Sequence, residues 1–128
     1  MTRRMSALLA LPVAALVTAT SGVTSTYAAP AEIAQGEFLF TTADGRGHRM
    51  LNPPAGKCIK LPDQGSTNGT NVTNKKAHIF ATYVSATDCR QEVASAEKNS
   101  GRGTPWSTPD FQPTAHAVRF DCDNPSVC

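Results

Sequence analysis

Four cysteines constrain this chain more than any other feature: Cys58, Cys89, Cys122 and Cys128. An even cysteine count in a short exported chain reads as a disulfide framework, because cross-links stand in for the interior that so few residues cannot build. The spacings argue against other uses of cysteine. "CDNPSVC" lacks the C-x₂-C spacing of a zinc site, and no thioredoxin-like C-x-x-C is present. Four cysteines allow three pairings. We favour Cys122–Cys128 as a local loop and Cys58–Cys89 as the long-range bridge. In the chain-entropy model a loop of about 30 residues stabilises by roughly 3–4 kcal/mol, and a short loop by less.

The other end of the chain carries the expectation of export. It begins "MTRRMSALLALPVAALVTATSGVTSTYAAPAE", with Arg3 and Arg4 ahead of an apolar run of 11 residues, Ala7 to Val17, broken only by Pro12. Small residues follow, and Thr26-Tyr27-Ala28 or Ala29-Pro30-Ala31 suits a signal peptidase. A membrane-spanning helix needs about 20 apolar residues, so residues 1–28 read as a cleaved signal peptide and no membrane anchor is expected. A flexible lead-in at 29–36 and a single β domain at 37–128 complete the organisation. The whole chain has 12 Lys+Arg and 10 Asp+Glu. Without Arg3 and Arg4 the two signs balance, so the net positive charge usual for nucleic-acid or anionic-membrane binding is absent. The pairs Lys57 with Lys60 and Lys75 with Lys76 read as solvated strand or turn positions.

The mature part alternates with period two. Strands are expected at "GEFLF" (Gly36–Phe40), "HIFATYV" (His78–Val84) and "HAVRFDC" (His116–Cys122), with shorter ones at "HRML" and "KCIKL". "RQEVASAEKN" (Arg90–Asn99) has only Val93, Ala94 and Ala96 to bury and reads as one helical turn or a strand end. Turn chemistry recurs at Asp44-Gly45, Asn52-Pro53-Pro54, Asp63-Gln64-Gly65 and Asn68-Gly69. Short strands at close spacing predict an all-β, small antiparallel sandwich pinned by disulfides. The stretch Lys98–Thr114, rich in proline and glycine and carrying the single tryptophan, reads as a long loop.

Two stretches also invite comparison: Phe40-x₆-Gly47 followed by "HRML", and Tyr83-x₅-Cys89 followed by "RQEVAS", starting 43 residues apart. Together with "PPAGKCIKLP", "NVTN", "ATYVSATDC" and "AVRF", they give the chain a resemblance. From Phe38 to Phe120 it looks like small secreted actinobacterial proteins with a βγ-crystallin-like double Greek key, a fold shared with secreted metalloprotease inhibitors. The resemblance implies a Greek-key sandwich. Its second unit departs from the family pattern, with Cys89, Arg90 and Gln91 where a glycine is expected and Ala117 where a serine is expected. The family's calcium motif begins at Asp123-Asn124 and fails at Val127 and Cys128, so no metal site is carried over.

Residues of the types used by small secreted nucleases are present: His48, His78 and His116; Glu37, Glu92 and Glu97; Arg46, Arg49 and Arg119. Any chain of this length offers such a set, and catalysis depends on geometry. No Gly-x-Ser-x-Gly elbow occurs, and the histidine spacings suit no metal. No catalytic residue, metal or cofactor is therefore expected. The expected activity is binding of an extracellular protein or surface partner, as in a protease inhibitor. A small hydrolase and a structural envelope protein are the alternatives. Arg102, Trp106 and Phe111 have the composition of an interface anchor, stiffened by Pro105 and Pro109. The competing reading folds Trp106 back over the core. The sequons at Asn68 and Asn71 read as turn residues without glycans.

Overall fold

The computed structural model describes residues 31–110 and 112–128; the expected signal peptide, 1–28, and Phe111 lie outside the described residues. Eight strands follow one another: β1 (Gly36–Thr42), β2 (Gly47–Leu51), β3 (Ile59–Lys60), β4 (Ser66–Thr73), β5 (Ala77–Ser85), β6 (Asp88–Ala96), β7 (Thr104–Ser107) and β8 (Ala117–Phe120). A 3₁₀ turn at Pro125–Val127 ends the chain. The strands form two antiparallel four-stranded sheets, ordered β2-β1-β4-β7 and β3-β8-β5-β6. Each run of four consecutive strands keeps its first, second and fourth members in one sheet and lends its third to the other.

Side-chain alternation makes one face of each sheet the core. Along β1, Phe38, Phe40 and Thr42 are buried while Leu39 and Thr41 face outward. Phe38 sits at the centre. It stacks on Trp106 at 5.9 Å between ring centroids and meets the edge of Phe120 at 5.3 Å. Leu61, Ile79 and Val118 close the cluster from the second sheet and its approach. Each such side chain stabilises by roughly 1.5–3 kcal/mol when removed from water.

Both expected disulfides are present, Cys58–Cys89 and Cys122–Cys128. The first joins the approach to β3 to the start of β6. The second packs on Gly56, where an added Cβ would lie 2.7 Å from the Cys128 Cβ. Glycine is required there twice over, since its φ is +78°.

Four local expectations are corrected. Asn68-Gly69 is no turn but the middle of β4, paired with Thr41 and Phe40 on one side and Ser107 and Trp106 on the other. Two flanking strands give its backbone a ladder that outweighs local turn preference. Arg90–Ala96 is the body of the nine-residue β6, bent by a register shift and by Gln91 at φ 63°. The long loop 98–114 is interrupted by β7, whose Trp106 is drawn in by the core. The lead-in 29–36 is anchored over its described part: Ala34 is fully buried, its N–H donates to the Pro53 carbonyl, and Ile33 bridges Pro54.

Candidate functional site

Phe111 lies outside the described residues, and Arg102 and Trp106 do not share an exposed patch. Arg102 is exposed in the turn before β7. Trp106 is 95% removed from solvent, with a relative exposure of 5%. It lies under Gly69, where any Cβ would meet the indole Nε1 at 2.7 Å. That indole N–H has no hydrogen-bond partner among the described residues, and a buried donor left so costs about 1–3 kcal/mol. Burial of the ring against Phe38 offsets it. The tryptophan is a core residue and cannot serve as a surface anchor in this conformation.

The three histidines fall in three separate settings. His48 on β2 stacks on Phe40, with 5.1 Å between centroids. Its Nε2 lies 3.0 Å from the Thr42 hydroxyl, which donates to Asp44 at 2.5 Å. That hydroxyl and the Arg46 amide hold the Asp44 carboxyl below its usual range. His78 on β5 bridges Glu92 at 3.1 Å and Asp121 at 2.8 Å across three adjacent chain segments. His116 turns its ring nitrogens to the carbonyls of Ala81, Thr114 and Asp63. Each imidazole closes a local structure of its own.

The outer faces of the two sheets differ. On the second sheet the chain's own side chains cover part of the face: Arg119 lies 5.0 Å over the Phe80 ring, beside His78 and its two carboxylates, while Val84 further along β5 is 49% exposed. On the first sheet a trough of about 580 Å³ is open. Register explains it. Arg49, Leu39 and Thr70 pair across β2, β1 and β4 to form one wall, and Gly47, Thr41 and Asn68 pair to form the other. Between them runs the backbone of the Phe40 row, whose side chains point inward. Arg49, largely exposed, meets the partly buried Glu37 at 3.2 Å, a surface pair worth about 0–1 kcal/mol and easily exchanged. Leu51, 65% exposed, stands beyond the Arg49 end.

The sequence hid this face for a physical reason. β4 turns Ser66, Asn71 and Thr73 inward, so no apolar alternation announces a strand. Asn71 is fully buried; its amide donates to the carbonyls of Lys75, Ala96 and Glu97, and its oxygen accepts from the Thr73 N–H and hydroxyl. The period-two pattern of "HRML" was the one legible signal of β2.

A second polar assembly joins the two ends of the described chain. Lys75, expected in solvent, is 9% exposed and ion-paired to Glu32 at 2.7 Å and to Asp123. Glu32 also accepts the backbone N–H groups of Asp123 and Asn124 at 2.8 and 3.1 Å. The lysine and those amides hold the Glu32 carboxyl below its usual value. Asp123 and then Glu32 raise Lys75.

No family model, curated protein or solved structure matches the chain. Among the described residues no group of histidine, cysteine and carboxylate side chains is arranged to hold a metal.

Proposed function

We propose that the chain is an exported, non-catalytic module of the βγ-crystallin-like double Greek-key kind that binds a protein partner through the outer face of its first sheet, as a protease inhibitor would. The strand order supports the Greek-key reading, because each four-strand unit lends its third strand to the opposite sheet. Phe40 and Gly47 bracket the first hairpin, and the Ser66 hydroxyl ties the start of β4 to the Thr41 carbonyl at 2.7 Å. Two disulfides fit an oxidising extracellular setting.

The observation that carries the binding reading is the contrast between the outer faces. One is covered over His78, Phe80 and Arg119 by cation–π and imidazole–carboxylate contacts and has no trough among the described residues, although Val84 stands exposed at its far end. The other leaves, among the described residues, an open trough, an exchangeable arginine and a leucine that is largely exposed. Exposed apolar surface beside a concave polar floor is the usual form of a recognition face.

Titration of the purified chain against extracellular metallo- and serine proteases tests the inhibitor form. Inhibition at micromolar concentration is expected, weakened about tenfold or more by Leu51→Asp. Absence of inhibition in both classes removes that form. Turnover of RNA or cell-wall polymer that disappears in His78→Ala would replace the binding module with a hydrolase.

A further inference from the structure

Four strand edges end the two sheets, and three of them are blunted. β3 has two residues. β7 carries Pro105, which has no N–H to offer. β6 is interrupted by a register shift and the left-handed Gln91. Short strands, proline and bulges are the devices by which sheet edges avoid pairing with other chains. β2 has none of them. It runs five residues in unbroken register with β1, and among the described residues nothing pairs with its far side.

The pattern of the ladder shows which groups that edge presents. Asn52 donates to the Gly36 carbonyl and Thr42 to the Arg46 carbonyl. Antiparallel pairs alternate between bonded and non-bonded, so Phe38–Met50 and Phe40–His48 are the bonded pairs. The N–H and C=O groups of Gly47, Arg49 and Leu51 therefore point away from the sheet. Their side-chain positions all lie on the outer face, along the rim of the trough.

We infer that β2 is a strand-addition site for an extended, antiparallel segment of a partner protein, carrying an apolar residue opposite Leu51, an acidic residue opposite Arg49 and a bulky residue opposite Gly47. This rests on the binding-module reading above and names its partner's chemistry. Main-chain hydrogen bonds to three consecutive outward residues supply affinity, and alternate side chains supply selectivity. Leu51 gains an apolar neighbour. Arg49 gains a carboxylate in place of its exposed pairing with Glu37. At Gly47 an added Cβ would meet nothing within 4 Å, so the space above it accepts a large side chain from across the ladder. A second copy of this chain fits less well. The symmetric pairing of two β2 strands about their midpoint sets Arg49 directly opposite Arg49, and like charges so placed are destabilising.

The test uses the disulfide-bonded mature chain, labelled with nitrogen-15, and two synthetic capped peptides, TLTETFT and TLTKTFT. Saturation with TLTETFT is expected to slow amide exchange at Gly47, Arg49 and Leu51 by about tenfold or more, leaving β7 and β6 unchanged. Arg49→Glu should reverse the preference between the two peptides, which a merely structural role of Arg49 would not do. Arg49→Pro removes an outward N–H that the sheet does not use, so with unchanged circular dichroism it should abolish binding of both. Absence of binding by either peptide, or binding without protection along β2, overturns the proposal. So does protection of β2 that rises with protein concentration in the absence of peptide, which would assign the edge to a second copy. A protease inhibited equally by the parent chain and Arg49→Pro would leave the module reading standing and remove the strand-addition site alone.

Discussion

The β1–β2 and β5–β6 hairpins occupy equivalent places in the two four-strand units, yet they are closed by different chemistry. The first is held without covalent help. Phe40 is buried under the stacked His48 ring, and the Asp44–Thr42–His48 chain of hydrogen bonds fixes the turn. The second places Tyr83 opposite Cys89, and Cys89 is bonded to Cys58. Where one unit buries an aromatic ring and a polar chain to close its hairpin, the other substitutes a cross-link. A fold position thus demands closure, and either packing or a covalent tie can provide it.

Breaking the first hairpin should have the larger effect. Phe40→Ala empties a site that is 5% exposed and should destabilise by about 3–5 kcal/mol, read from urea unfolding monitored by fluorescence. A cost near zero would mean that the buried ring does not close the first hairpin, and the contrast would fail. The cross-link comes next. Replacing Cys58 and Cys89 together by alanine frees a sequence separation of 31 residues and should destabilise by about 3–4 kcal/mol. If the double variant keeps its unfolding midpoint, the second hairpin is closed by its packing as well and the contrast fails.

The smallest effect belongs to the joint between the units, where Lys75 lies in the β4–β5 turn. Glu32 is held below its usual value of 4.5, first by the Lys75 hydrogen bond. A carboxyl depressed in the folded state contributes stability above its unfolded value and loses it as pH falls through the folded one. Lys75 is raised by Asp123 and Glu32, so from its side the interaction is lost only in strong alkali, and in acid it is lost with the carboxylates that make it. The melting temperature should therefore fall as pH drops below about 4.5, and Glu32→Gln should flatten that acid limb while leaving both hairpins intact. An acid limb unchanged in Glu32→Gln would assign it to the other depressed carboxyls, Asp44 in the first hairpin or Asp88 in the second.

Much of the fold was legible because strands β1, β5 and β8 carry their inward faces as apolar residues at alternate positions. The cysteine spacing was legible for a related reason: a six-residue separation closes a loop easily, leaving the other two to pair. The candidate face was not. Trp106 has the composition of an interface residue, and nothing in "TPWSTP" says that its ring stacks on Phe38, which lies far earlier in the chain.

The sequence by itself determined an all-β body with a disulfide framework and favoured one of three pairings, since strand alternation and loop closure act over short stretches; the fold settled the pairing. Only the tertiary structure decided which polar residues turn inward. Asn71 and Lys75 are buried because carbonyls and carboxylates from distant segments meet them there, and a polar side chain in the interior is stable only when such partners arrive. The open edge of β2 was decided the same way: whether a strand is an edge depends on what the rest of the chain leaves unpaired beside it.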